Sequence, residues 1–503
     1  MKVIIVGLFS LLMLKTAFAS PTPEALLASE APKYIVQANG KRLNSFIARD
    51  IEILVNAYLE TGEKRYLEGV IRYMTAAAKY PDWRAKEHYL SASYIVRAFG
   101  IALVKCGKQM TNDVRTALED ALIEKGVKPA QDHLFWKSND NWTQACTLAI
   151  THAAFALSSR FPEMSEKLIK RSVESTKNAL NAYAPDGCFA EGPSYWKFAT
   201  EKTDELIALL KQRLGEDYGI ESSPGYKKSH EWMDAILAPS GKLFNFSDGD
   251  SVPDKGKVWG VKETSAKIFN GAQPTGVIAG ENFFLGLKGG KANLKHAHMD
   301  AGSFVYETLK DGVAIRWVED LGSERVRRIE HAKIDIDDYS QDSTRWSVFR
   351  YGPYSHSTFH IDNKLHLVDG FVSLKASNDE KNSIIADCTS LYSGVWESAR
   401  RKFKMGEDDV LMVEDSFVKI GKKCIYTFNF CTTAAVKIEE NSVLLEKNGR
   451  VLRVKTSQKG AWSVKDITKP KRSFESLNRG MKKVIFTTEL EEGDVKVCFW
   501  LGE

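Results

Sequence analysis

Apolar positions recur at helical spacing through the first half of the chain and at every second residue through much of the second half. Ile47, Ile51, Leu54 and Tyr58 share one helical face, and Thr61-Gly62 stops that run. The same periodicity predicts helices over roughly 65–78, 90–104, 142–157, 162–183, 200–214 and 227–237, with a further one after the capping sequence Thr111-Asn112-Asp113. From about Gly276 the pattern alternates: 313–318, 358–361, 425–430, 484–488 and 495–500 read as strands. Asn448-Gly449 between two apolar runs is a hairpin turn. Antiparallel helix pairs with short joints permit a ring, an incomplete α/α toroid, and turn-punctuated strands read as an antiparallel β-sandwich. The expected architecture is α+β and multidomain: a leader over 1–19, helices over 20–275, and strands over 276–503. Asn270 to Gly276 reads as the linker between the last two.

The leader carries Lys2, an apolar run from Val3 to Leu14, and Ala17-Phe18-Ala19 before Ser20. That is the pattern of a secretory signal peptide cleaved after Ala19, which predicts a periplasmic or secreted protein. The run is short for a membrane span. A formal charge of +5 over 503 residues, without a long Lys/Arg block, gives no nucleic-acid signature. Seven cysteines include no CxxC pair, and the odd number excludes complete pairing within the chain. Cys146 and Cys188 lie on two segments with candidate chemistry, so one disulfide is conceivable there; buried free thiols are the simpler expectation.

The densest chemistry lies in Lys295-His296-Ala297-His298-Met299-Asp300-Ala301-Gly302-Ser303-Phe304. In extended backbone His296 and His298 share a face. Ser138 to Gln144 opens a helix, where amides usually cap; alternatively Asn141 and Gln144 face a ligand. Ala182 to Trp196 reads as a long irregular loop, with Tyr195-Trp196 suited to stacking on a sugar and to proton transfer. Gln341 to Thr358 brings Arg345, Arg350 and His356; either arginine suits a carboxylate or sulfate, and either suits a structural pair. His298, His356 and Asp320 together would make a three-ligand zinc site.

These segments, taken together, resemble the heparinase II/III-like family of polysaccharide lyases. The motifs are Asn141-Trp142-Thr143-Gln144, Tyr183 to Gly187 with Glu191 to Trp196, His296 to Phe304, and Arg345-Trp346 to Thr358. The resemblance runs from about residue 45 to the C-terminus. It implies a helical toroid followed by a β-sandwich, and β-elimination at a uronic acid. By motif it implies Tyr195 and His296 as catalytic residues, with Asn141 near the uronate carboxylate. Gln144, Trp142, Trp196, Arg345 and Arg350 are the candidate substrate contacts. A structural zinc held by His298, Asp320 and His356 is implied in the same way. Relatives often carry a histidine near Asn141-Trp142; this chain has none there, which leaves the base open between His296 and Tyr195.

The expected partner is an acidic polysaccharide, with heparin or heparan-type glycosaminoglycans slightly ahead of alginate and other uronate polymers. Two other classes compete. A glycoside hydrolase would use two carboxylates across the bond, with Asp186 and Glu191 as candidates. A glycan-binding protein without catalysis would need neither proton donor nor base.

Overall fold

The computed structural model describes residues 20–503 apart from 30–34, 38–39, 44, 251–258, 325–328, 330–331, 378–379, 381 and 407. The leader read over residues 1–19 lies outside the described residues. The chain forms two compact units, one of residues 1–181 with 197–223, the other of residues 182–196 with 224–503.

The first unit is helical. Phe46–Thr61, Lys64–Lys79, Tyr89–Cys106, Asn112–Leu122, Asn141–Leu157 and Pro162–Ala179 follow one another with short joints, except that short helical turns lie within residues 123–136 before Asn141. The capping chemistry works as its residues predict: Thr111 accepts from the Val114 amide, and Asp140 accepts from the Trp142 amide. Helix Asn141–Leu157 is buried on nearly every face and therefore lies inside the unit. It packs close to Tyr89–Cys106 because Gly100 lacks a side chain: a Cβ there would stand 2.6 Å from the His152 backbone. The segment Tyr89–Gln109 is long and apolar enough to cross a membrane, and it is instead mostly buried within the protein.

A polar knot sits on the same helices. Arg97 pairs with Glu52 and, at 2.5 Å, with Glu205, whose carboxylate also meets His152 at 3.3 Å. Burial alone would raise the Glu205 carboxyl, but the His152 hydrogen bond and the Arg97 charge outweigh it and hold it at about 2. A carboxyl lowered by folding stabilises the protein above its unfolded value of about 4.3, and that share is lost as pH falls toward 2. Glu205→Gln is therefore expected to cost roughly 1–3 kcal/mol at pH 7 and to flatten the acid-induced loss of stability below pH ~4.5. Urea unfolding at pH 7, 4.5 and 3 measures both; an unchanged acid slope would exclude this knot as its source.

The second unit is built on antiparallel sheets. A five-stranded meander runs Ser265–Phe269, Thr275–Ala279, Phe283–Lys288, Phe304–Lys310 and Val313–Val318. A four-stranded sheet is centred on Lys482–Leu490 and Cys424–Thr432, and an eight-stranded sheet on Gly493–Gly502 and Leu411–Ile420. One apolar core serves all three, with Phe304 and Leu285, Phe428 and Phe486, and Val413 and Phe499 from the respective sheets. Period-two burial along Ser398–Met405 and Leu411–Ile420 is the pattern of a sheet with one face in that core. Two fully buried charges, Arg401 and Asp415, pair bidentately across neighbouring strands at 2.7 Å. Arg401 also donates to the Gly302 carbonyl, which ties the end of the histidine segment to the core.

Three sequence expectations change. The segment read as a linker, Asn270 to Gly276, is largely the turn of a hairpin, because strand Ser265–Phe269 already precedes it. Linkers and hairpin turns share a composition. Helix Pro193–Leu214 begins earlier than residue 200, so Tyr195 and Trp196 stand in its first turn and not in a loop. Gly192 (φ 87°) leads into Pro193, and proline starts a helix readily because the N–H it lacks would find no acceptor within the helix there. The histidine segment is a turn before strand Phe304–Lys310, with His296 at φ 63°, and is not extended.

Candidate active site

The second unit alone assembles a compact polar cluster. Its centre is Asp248, in the turn Phe246-Ser247-Asp248-Gly249 that precedes the sheets. The Asp248 amide donates to the His296 carbonyl, and the Ser247 amide donates to Asp300 at 2.7 Å. These bonds clip the turn onto the histidine segment. They also hold Ser247 (φ 54°) and His296 (φ 63°) in left-handed backbone, which non-glycine residues enter at a cost. The two imidazoles do face the same group, although no strand aligns them. Asp248 takes Nδ1 of His296 on one oxygen and Nε2 of His298 on the other, each at 3.0 Å.

Burial would raise the Asp248 carboxyl, but the hydrogen bonds from His296 and His298 overcome it and keep it well below the ordinary carboxylate range. An ionised carboxylate only accepts, so His296 carries a proton on Nδ1 and its Nε2 faces inward, toward a second carboxylate. Glu191, buried at the end of the Ala182–Trp196 segment, lies 3.3 Å from that Nε2. Tyr195 stacks flat on the His296 ring, with centroids 3.7 Å apart and planes 14° apart. Burial, then the negative charges of Asp248 and Glu191, push the Tyr195 phenol far above its ordinary value, so it stays protonated. Among the described residues its hydroxyl has no protein hydrogen-bond partner.

His298 is fully buried, and burial holds its pKa below the ordinary value. Its Nδ1 is a buried atom without a hydrogen-bond partner among the described residues. The metal-capable group that forms around it is His298, Asp300 and His356, with donor atoms all within 4.8 Å of one another. Asp320 meets His356 at 2.8 Å without joining that group. Asp300 is already neutralised by the fully buried Lys288 at 2.6 Å, whereas among the described residues Asp320 pairs with His356 alone. Two imidazoles and a nearby carboxylate are donor types that zinc takes, with the orphaned nitrogen on His298; His356 has Nδ1 on Asp320 and Nε2 on the Arg350 carbonyl and would have to give up one of these bonds.

The remaining candidates are placed differently. Arg345 is buried; its guanidinium donates to the carbonyls of Ile336 and Ala297 and stacks over Tyr339 and Tyr351 at 4.6 and 4.2 Å. It braces the backbone between the two histidines and presents no free fork to a ligand. Arg350 is spent in the same way, on Asn478 and the carbonyls of Leu321 and Ser323. Trp196 is buried, edge-on to His230 at 5.3 Å, so its ring is packing material and not a sugar platform. Asp186 is engaged by Lys228 at 3.0 Å and by Asn270. In the helical unit, Asn141 is buried in the first turn of its helix, Trp142 packs against His88 at 4.6 Å, and the buried Gln144 amide has no hydrogen-bond partner among the described residues. All seven cysteines are free, so Cys146 and Cys188 form no disulfide.

Asp248, Tyr339 and Lys288 were not singled out from sequence. Asp248 lies in a stretch whose composition spells only a turn. Tyr339 accepts from the His296 amide at 3.1 Å, a contact that no periodicity announces.

No protein-family model matches the chain, and no curated protein matches it in sequence. Solved structures do. A mutant of the heparan sulfate lyase HepC from Pedobacter heparinus superposes with a TM-score of 0.68 at 12% identity, covering 97% of this chain and 83% of that one. A heparinase III structure gives 0.63 at 14% identity, covering 97% and 78%. A chondroitin AC lyase mutant from Streptomyces coelicolor A3 gives 0.51 at 11%, covering 91% and 74%. The chain therefore has the fold of the heparinase-like polysaccharide lyases.

Proposed function

We propose that this protein is a polysaccharide lyase that cleaves a uronic-acid-containing glycan by β-elimination, and that Tyr195 and His296 carry the proton transfers. The observation behind this reading is the stacked Tyr195–His296 pair flanked by Asp248 and Glu191. Rings in van der Waals contact leave no room for a sugar between them, so both address one face of a bound uronate. That supports removal of the C5 proton and departure of O4 from the same side. Nε2 of His296 takes the C5 proton, and the electrons of that bond form the C4–C5 double bond. The C4–O4 bond breaks, and O4 takes the Tyr195 proton. A tyrosinate beside an imidazolium remains, and a proton passing between the two neighbours restores the starting state.

The hydrolase alternative loses support because Asp186, one of its two candidate carboxylates, is committed to Lys228 and Asn270. Heparin or heparan-type chains remain the preferred substrates, since HepC is named as a heparan sulfate lyase. We read the helical unit as an incomplete toroid and the protein as periplasmic or secreted. Zinc would be held by His298 and His356 with Asp320, and when bound it would brace the turn that presents His296.

A panel of uronate polymers, followed in the near ultraviolet with and without a chelator, tests the reading. Unsaturated ends are expected from at least one polymer. Chelation is expected to lower Tm by several degrees if zinc braces the turn. Reducing ends without new absorbance would identify a hydrolase.

A further inference from the structure

The eight-stranded sheet buries one face in the apolar core and leaves the other to solvent. Strand register fixes what that outer face displays. One row across it reads Lys455, Trp500, Met412 and Lys404 on four adjacent strands. The next reads Cys498, Glu414, Lys402, Ile385 and Lys375, and a third reads Lys496, Ser416, Arg400 and Asp387. Trp500 is 36% exposed, a costly setting for so large an apolar ring. Among the described residues no aromatic ring or cation stacks on it. Strand spacing puts Lys455 and Lys404 about 14 Å apart, on either side of it. Lys402 and Lys404 share Glu380, at 2.6 and 2.9 Å, and Lys496 pairs with Glu414 at 3.4 Å. Lys375, Arg400 and Lys455 are exposed and make no ion pair among the described residues. The carboxylates on this part of the face are Glu380, Asp387 and Glu414, so its cations exceed them. Four separate strands supply those cations, which is why no basic block shows in the sequence.

We propose that this outer face, centred on Trp500, is a second binding site for an acidic polysaccharide, separate from the residues that cleave it. The occupant rests on the lyase reading; the location rests on the face itself. The indole ring suits the C–H face of a pyranose, and the flat sheet around it lets a chain lie across. Lys375, Arg400 and Lys455 have charge left for a carboxylate or sulfate on the sugars to either side. The cations are interleaved with Asp387 and Glu414. That spacing suits a polymer whose charges are separated by neutral positions better than a nucleic acid with a phosphate at every unit. A chain long enough to reach both this face and the cleavage residues is held by each, which raises apparent affinity without a new catalytic contact.

The test uses full-length Tyr195→Phe protein, so that chains are bound and not cut. Surface plasmon resonance at ~50 and ~500 mM salt measures it against immobilised heparan sulfate, chondroitin sulfate and alginate. On at least one of them, Trp500→Ala is expected to weaken binding about fivefold or more. Arg400→Gln combined with Lys455→Gln is expected to weaken it about tenfold at low salt and less at high salt. Lys465→Gln combined with Lys469→Gln removes the same charge away from this face and is expected to change nothing. Circular dichroism melts within about 2 °C of the parent show that Trp500→Ala is folded; if it is not, the two glutamine pairs, which remove no packing, decide. No binding to any of the three polymers, unchanged binding in folded Trp500→Ala, or equal losses in the two glutamine pairs overturns the site. Single-stranded DNA bound as tightly as the best polysaccharide overturns its occupant. Unsaturated product from the unmodified protein is scored separately. Binding that depends on this face without product sinks the lyase reading and keeps the face, and product with binding indifferent to these variants does the reverse.

Discussion

Tyr195→Phe is expected to lower kcat by about a thousandfold or more while leaving the fold intact. Phenylalanine keeps the ring that lies 3.7 Å from His296, so the stack and the helix start at Pro193 survive. Only the oxygen is lost, and that oxygen makes no protein hydrogen bond among the described residues. Tm should therefore move by no more than about 2 °C, in line with a substitution that breaks no packing or polar network. The phenol is held protonated by burial and by two carboxylates, and so it enters the reaction as the acid. Removing the acid leaves O4 to depart as an alkoxide, which raises the barrier without touching ground-state binding; KM should stay within a few-fold. Initial rates from the absorbance of unsaturated ends, with circular dichroism melts, check both halves. A variant within tenfold of the unmodified rate would take Tyr195 out of the mechanism.

The succession from helices to strands was legible because periodicity reports burial, and burial is what separates these two architectures. Asn448-Gly449 turned where it should, with both residues in left-handed backbone. The pairing of Tyr195 with His296 was legible only through the resemblance, since 101 positions separate them and no local pattern links them. What stayed hidden has one physical character. Asp248, Tyr339 and Lys288 act through contacts to residues well removed in sequence, and a lone aspartate in a turn looks the same whether it caps an amide or holds two imidazoles. Arg345 and Arg350 misled for the complementary reason. A guanidinium beside a candidate site reads as a ligand clamp, yet here Arg345 is spent on backbone carbonyls and Arg350 on carbonyls and the Asn478 side chain. The signal available in sequence was the aromatic company of Arg345, with Tyr339, Trp346 and Tyr351 all nearby, which is the setting of a buried cation.

Asp248→Asn is the second large effect and separates positioning from chemistry. The carboxylate accepts from Nδ1 of His296 and from Nε2 of His298 at once. An amide of the same shape has one accepting and one donating end, so it can serve only one of the two rings in its present tautomer. If its oxygen stays with His298, its NH2 faces Nδ1 of His296 and forces that proton onto Nε2, the nitrogen assigned to receive the C5 proton. If it turns the other way, the buried His298 must shift its own proton to Nδ1, the atom now without a partner. The first orientation disables the base; the second removes the nitrogen that a zinc ion would use. By analogy with an aspartate that orients a catalytic histidine, kcat should fall by about 10² to 10⁴ with KM little changed. Asp248→Ala should in addition destabilise the second unit, because two imidazole N–H groups would then be buried unpaired. Nitrogen NMR of the imidazoles distinguishes the tautomers directly. A kcat within about threefold of the unmodified protein, with the His296 proton still on Nδ1, would show that Asp248 holds the loop and not the tautomer.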